Sequence, residues 1–223
     1  GIPFAILGHN RRMAWGVTML QNDDLDYFRE RVNPVNPEQV WFRDHWEELK
    51  IVEEIISVKG SEDRPLRVRI SRHGPIINDV LETVEKTEIQ PVALAWEMLS
   101  NFENSTEQVF YELGHSESLA DSRAAVSKLH APGLNINYGD AEGNIAWWGA
   151  ARLLIRPEHV NSYVILDGAS GKDEVLGYRD FSENPQSENP QTGILYNGNN
   201  QPGDTGSGLE AGYYAAEERA HRL

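Results

Sequence analysis

The sequence contains no cysteine, which excludes disulfides and every metal site built on thiolates. No apolar run comes near the ~20 residues that a membrane-spanning helix needs, and no signal-peptide pattern is visible. Positive charge is scarce: 20 Lys and Arg stand against 35 Asp and Glu, a formal charge of −15. A surface of that sign disfavours nucleic acid and anionic membranes as partners. The seven histidines are scattered without a His-x-x-x-His pair, which argues against zinc. There is no internal repeat and no phosphate-binding glycine loop; Gly203–Gly208 reads as a flexible turn. Gly114-His115-Ser116-Glu117-Ser118 approaches a nucleophile elbow but lacks the closing glycine, so it reads as a loop and helix cap.

What is present is a chain of 223 residues, long enough to bury a real core. Pro3–Leu7, Met13–Thr18 and Leu25–Arg31 are short β-prone runs between turn residues. Val40-Trp41-Phe42, Arg43-Asp44-His45 and Trp46 read as a hairpin. Ile51–Lys59 and Leu66–Ile70 alternate as half-exposed strands do, with a turn over Lys59–Asp63. Val92–Leu99 reads as strand in preference to helix. Ser105–Leu113 and Ser118–Leu129 read as helices, the second capped by Ser118 with Asp121 three residues on. Asn135–Gly139 and Ile145–Ala150 flank a strong hairpin signal, Asp140-Ala141-Glu142-Gly143-Asn144. Gly168–Thr192 reads as long loops. Strands and helices without βαβα alternation predict an α+β fold, taken as a single domain over 1–223 with no separate second domain. The chain starts at Gly1 and stops at Leu223 within the helix-like run Ala215–Ala220, and the expectation is that both ends are cut.

Three clusters carry chemistry. Gly8-His9-Asn10 turns into Met13-Ala14-Trp15-Gly16-Val17-Thr18, a built strand with no nucleophile in or before it. Asp23-Asp24-Leu25-Asp26 follows, where carboxylates and an intervening carbonyl can supply several of the 6–8 oxygens that calcium takes; on these residues alone a solvated acidic turn is the favoured reading. Tyr196-Asn197-Gly198-Asn199-Asn200-Gln201-Pro202 offers amides that can donate to a developing oxyanion; the same residues also favour a plain turn.

In this order, these segments resemble the penicillin acylase family of N-terminal nucleophile hydrolases. Gly8-His9-Asn10…Ala14-Trp15-Gly16-Val17-Thr18, Arg72-His73-Gly74-Pro75-Ile76, Leu94-Ala95-Trp96, Asp140–Ile145 and Asn199-Asn200-Gln201-Pro202 each resemble a family block. The resemblance implies part of an αββα sandwich, strand-rich with a few helices. It implies an internal piece of the β chain, whose catalytic N-terminal serine lies upstream of these residues, with the α chain of the same precursor as partner. The fragment alone is therefore expected to be inactive. By the same resemblance the backbone N–H of Met19 and the amide of Asn199 form the oxyanion site, and Arg219 steers the asparagine. Leu7, Val17, Trp96 and Leu134 line an apolar acyl pocket, although Trp96 and Leu134 read equally well as core. Asp23, the Leu25 carbonyl and Asp26 match a structural calcium site, with Glu210 near a further ligand; no organic cofactor is implied. His9 and His73 read as structural turn residues. The implied activity is cleavage of an N-acyl group from a β-lactam or homoserine-lactone amide, in the periplasm or outside the cell. Two other readings stay open: a non-catalytic acidic β-rich binding module holding calcium, and a degenerate acylase homologue.

Overall fold

Met13, Trp15 and Val17 alternate with Ala14, Gly16 and Thr18, so one face of this strand is apolar and the other small and polar. A computed structural model describes residues 4–81, 83–84, 90–100, 106–202, 212–214 and 219–222. Its contacts divide the chain into two compact units: Gly1–Asp24 with Asn101–Ile155 and Gly177–Leu223, and Leu25–Ser100 with Arg156–Leu176. Strands and helices are numbered along the chain.

In the first unit β1 (Gly8–His9), β2 (Met13–Met19), β10 (Leu134–Asp140), β11 (Ile145–Ala150) and β15 (Gln186–Glu188) form one antiparallel sheet, ordered β1-β2-β10-β11-β15. The apolar face of β2 points at two helices, α2 (Thr106–His115) and α3 (Leu119–Val126). Trp15, Ile136 and Trp148 from the sheet interlock there with Val109, Phe110, Leu113, Val126 and Leu129, all buried. Burying side chains of this size contributes roughly 1.5–3 kcal/mol each. The opposite face carries Thr18 and, paired with it across the ladder, Asn135. The Gly-His-Asn turn is held by Asn10. Its Oδ1 accepts from the backbone N–H groups of Arg12 (2.8 Å) and Met13 (3.0 Å), and its Nδ2 donates to the carbonyls of Gly114 and Ser116. That second pair fastens the turn to the α2–α3 connection, where Ser118 caps α3 by accepting from Asp121 N–H. A short pair, β12 (Leu154–Ile155) with β14 (Gly177–Tyr178), completes this unit.

The second unit holds β3 (Leu25–Arg29) between β9 (Val92–Trp96) and a parallel β13 (Leu166–Asp167). It also holds the hairpin β4 (Gln39–Phe42) and β5 (His45–Glu48), and the sheet β6 (Lys50–Ile56), β7 (Arg64–Ser71) and β8 (Gly74–Pro75). Phe28, Ile76, Ala93 and Leu166 make its core. Gly74 adopts φ +135°, and a Cβ there would run into the Leu94 carbonyl, so glycine is required between Arg72-His73 and Pro75.

Several expectations shift. Val92–Leu99 is not one strand: β9 ends at Trp96 and α1 (Glu97–Ser100) follows as one helical turn. The described part of Pro3–Leu7 is bends and coil, and β1 starts only at Gly8. The stretch Gly168–Thr192 contains β14, a 3-10 turn over Phe181–Glu183, and β15, an edge strand of the main sheet. Ala215–Glu218 and Gly203–Gly208 lie outside the described residues; Ala220–Arg222 is a 3-10 turn. Among the described residues no helix is long and apolar enough to cross a membrane.

Candidate active site

The C-terminal end of β2 is where the candidate residues Met19, Asn199 and Arg219 meet. Leu20 N–H donates to the Gly133 carbonyl at 2.9 Å. The peptide is trans, so the Met19 carbonyl leaves from the opposite edge, away from β10. Alternation of an antiparallel ladder sends the Met19 N–H to that same edge. Asn199 meets it there: its Nδ2 donates to the Met19 carbonyl at 2.8 Å. The guanidinium of Arg219 donates to Asn199 Oδ1. Arginine only donates, so the amide has one orientation, oxygen to Arg219 and nitrogen to the strand. The amide nitrogen carries two hydrogens; the Met19 carbonyl engages one. Accepting from a cation also strengthens the amide as a donor. Asn199 is thus brought to Met19, 180 positions away, and to Arg219, 20 positions away.

Beneath them runs a chain of neutral hydrogen bonds. Trp147 Nε1 donates to Asn135 Oδ1 at 3.0 Å. Asn135, fully buried, turns its Nδ2 to the Met19 carbonyl (3.0 Å) and Thr18 Oγ1 (3.3 Å). The Thr18 hydroxyl donates to Asn197 Oδ1 at 2.7 Å, and that oxygen also accepts the Asn199 N–H at 2.9 Å. Asn199 sits at φ +62°, in the left-handed region that asparagine tolerates better than other side chains. Asn135 and Trp147 were not singled out in the sequence. Their hydrophilic-alternating position on a hairpin strand marks a face, and only the pairing of β10 with β2 says what that face meets.

The remaining candidates are dispersed in character. Leu134 is buried in the apolar core with Ile136 and Trp148, and Val17 packs partly against it. Leu7 is exposed. Trp96 belongs to the second unit, half-buried on β9 opposite Leu25. Asp23 and Asp26 are both buried, and Asp26 Oδ2 accepts from Arg156 Nε at 2.9 Å. Glu210 lies outside the described residues. Among the described residues no three His, Cys, Asp or Glu side chains are grouped as a metal site.

His9 is an exposed turn residue, its Nδ1 3.1 Å from the Asn10 carbonyl. His73 is more than that. Its ring stacks on Phe28 at 4.1 Å, with Nδ1 2.8 Å from Glu30 Oε1 and Nε2 2.8 Å from Glu174 Oε1. Two carboxylates ask both ring nitrogens to donate, which makes the ring an imidazolium. Burial alone would lower its pKa, but the hydrogen bonds it donates to Glu174 and Glu30, and their charges, outweigh it and lift it to about 9.

The sequence matches the penicillin amidase family over residues 1–223. It is 28% identical over 235 residues to acyl-homoserine lactone acylase QuiP of Pseudomonas aeruginosa, covering 100% of this chain and 27% of that protein. To penicillin G acylase of Escherichia coli it is 26% identical over 202 residues, covering 90% of this chain and 23% of that protein. Among solved structures it resembles the thermostable penicillin G acylase from Alcaligenes faecalis, with a TM-score of 0.82 and 26% identity over 96% of this chain and 37% of that one. The chain therefore spans about a quarter of the length of these curated relatives. The strand-rich α+β arrangement expected from the sequence is that of an N-terminal nucleophile hydrolase. With blocks from Gly8 to Pro202 in family order and the fold in agreement, this chain belongs to the penicillin amidase family.

Proposed function

We propose that the complete protein is an N-terminal nucleophile amide hydrolase that removes an acyl group from a β-lactam or homoserine-lactone type amide. One observation carries this reading: the Asn199 amide is locked between Arg219 and the Met19 peptide, at the strand edge that the Met19 N–H also faces. A Ser, Thr or Cys at a chain N-terminus outside these residues supplies the attacking atom. Its own α-amine is the base, and a pKa of about 7.7–8.0 suits that task. As the acyl carbonyl becomes tetrahedral, its oxygen takes hydrogen bonds from the Met19 N–H and Asn199 Nδ2, neutral donors set in place before the charge develops. Leu7, Val17, Trp96 and Leu134 favour an apolar acyl group over an anionic one. These 223 residues on their own are expected to turn over no acyl amide, because none of them provides that nucleophile.

The reading includes the α chain of the same precursor as partner, a periplasmic or secreted location, and calcium held by Asp23, the Leu25 carbonyl and Asp26. All-oxygen donors suit a hard cation, and Asp23 and Asp26 are both buried beside the Leu25 peptide. A bound ion raises the melting temperature with its excess over Kd. The complete protein is expected to melt lower in chelator than in calcium, and Asp23→Ala to remove that difference. An unchanged wild-type melt, with no ion by elemental analysis, rules calcium out.

The decisive test is Asn199→Ala in the complete protein, assayed with phenylacetyl and long-chain acyl p-nitroanilides. The expected loss in kcat is roughly 10²–10³-fold. A variant with near-wild-type kcat makes Asn199 a turn residue and removes the main support for the reading.

A further inference from the structure

The hydrogen-bond chain under the Met19 edge has a direction, and its two ends set it. Indole Nε1 donates and never accepts, so the oxygen of Asn135 must face Trp147. Its Nδ2 then has to point at the Met19 carbonyl and at Thr18 Oγ1. With its lone pair engaged, the Thr18 hydroxyl sends its hydrogen to Asn197 Oδ1, which in turn receives the Asn199 N–H. At the far end Arg219, also a donor only, fixes the Asn199 side chain. Every flippable group between the two ends is thereby held in one orientation, and Asn135 lies wholly out of water, where no solvent hydrogen bond competes.

Resting on the hydrolase reading above, we propose that Asn135 and Thr18, anchored by Trp147, are positioning residues that aim the Met19 peptide and the Asn199 amide at one point. Neither touches substrate. Asn135 grips the Met19 peptide, and Thr18 grips the turn through Asn197. Asn199 stays at φ +62°, a conformation that needs such support. A donor that drifts by a fraction of an ångström still binds the ground state but loses the oxyanion.

The test uses the complete protein and the two p-nitroanilides. Thr18→Val keeps the shape and loses the hydroxyl; Thr18→Ser keeps the hydroxyl. Trp147→Phe keeps an aromatic ring and loses the donor. Asn135→Ala is the direct variant, but it opens a buried site, so the first three carry the conclusion if it does not fold. Thr18→Val and Trp147→Phe are expected to lose about tenfold in kcat with KM within about twofold, as fits losing one hydrogen bond's worth of alignment, and Thr18→Ser to recover most of it. If Thr18→Val and Trp147→Phe keep wild-type kcat while Asn199→Ala loses its hundredfold, the positioning role is wrong and the hydrolase reading stands. A fall in kcat that Thr18→Ser does not restore, or a matching rise in KM, also overturns it. A wild-type protein inert toward both substrates, or an Asn199→Ala variant at wild-type rate, fails the hydrolase reading itself and takes this inference with it.

Discussion

The two units each bury a polar network, and the two are built from opposite materials. Around Met19 the groups are amides, a hydroxyl and an indole, all neutral, with one cation at the exposed end. Around His73 the groups are formally charged: an imidazolium pressed between Glu30 and Glu174, with Arg72 stacked over Phe42 nearby. A neutral network leaves its donors uncommitted to any resident charge, so a charge that arises only during a reaction can claim them. A charged network is already satisfied and has nothing left to give; it fastens segments that are far apart in sequence, here 43 and 101 residues. The first arrangement suits chemistry and the second suits holding a fold.

The strongest way to break this contrast is His73→Ala. It removes the imidazolium paired with Glu30, which is buried, and removing one partner of a buried pair costs about 3–5 kcal/mol. Chemical denaturation of the complete protein should read a loss of that order, and adding Glu30→Gln should restore part of it through a double-mutant cycle. A loss under 1 kcal/mol, where about 3–5 is expected, means the pair is ornamental.

The pH dependence sharpens the comparison next. His73 has its folded pKa raised to about 9 from the ordinary 6.5, so its contribution is whole below the ordinary value and is lost as pH rises through about 9. Glu174 is held below its ordinary 4.5, first by its hydrogen bond to His73. Its contribution is present above that ordinary value and fades as pH falls through the lowered one. The charged groups facing this ring are Glu30 and Glu174, with Arg72 and Arg43 acting on Glu174. Melting temperatures should therefore hold between pH 5 and 6.5 and decline towards pH 10, and His73→Gln should flatten the alkaline decline. A wild-type alkaline limb that matches the variant's removes the assignment.

The smallest effect belongs to the neutral network. Asn199→Gly, which keeps the left-handed backbone unstrained, should change stability by no more than about 1.5 kcal/mol whatever it does to kcat, the net value of an ordinary hydrogen bond. A larger drop in the melt would make Asn199 a structural residue in the same sense as His73.

Local signals were legible in the sequence where a short stretch contains its own reason. The Asp140–Asn144 hairpin and the Ser118 cap needed only neighbouring residues, and both stand as expected. Gln186-Ser187-Glu188 has no apolar alternation: it is an edge strand, half-buried, and its Glu188 accepts from Trp148 Nε1, so nothing nearby betrays it as part of the sheet. Val92–Leu99 carries apolar residues past Trp96, and the change from strand to helical turn inside that run is invisible to hydrophobicity alone. The site divides in the same way. Asn199 lies in a family block and Met19 and Arg219 are implied by the same resemblance, and the fold brings the three together. Asn135 and Trp147 owe their place to strand pairing, and His73 to partners on distant segments, so no local pattern could mark them.

The left-handed backbone at Asn199 has a consequence for how this position can vary. Glycine would relax the backbone but carries no amide. Glutamine carries the amide, yet its longer stem places the nitrogen elsewhere and gains none of the local stabilisation that lets asparagine adopt φ above zero. Aspartate tolerates the backbone but, ionised, offers no hydrogen to give. Asparagine meets both demands at φ +62°, so backbone geometry and the need for an amide donor together favour it over glycine, glutamine and aspartate at residue 199.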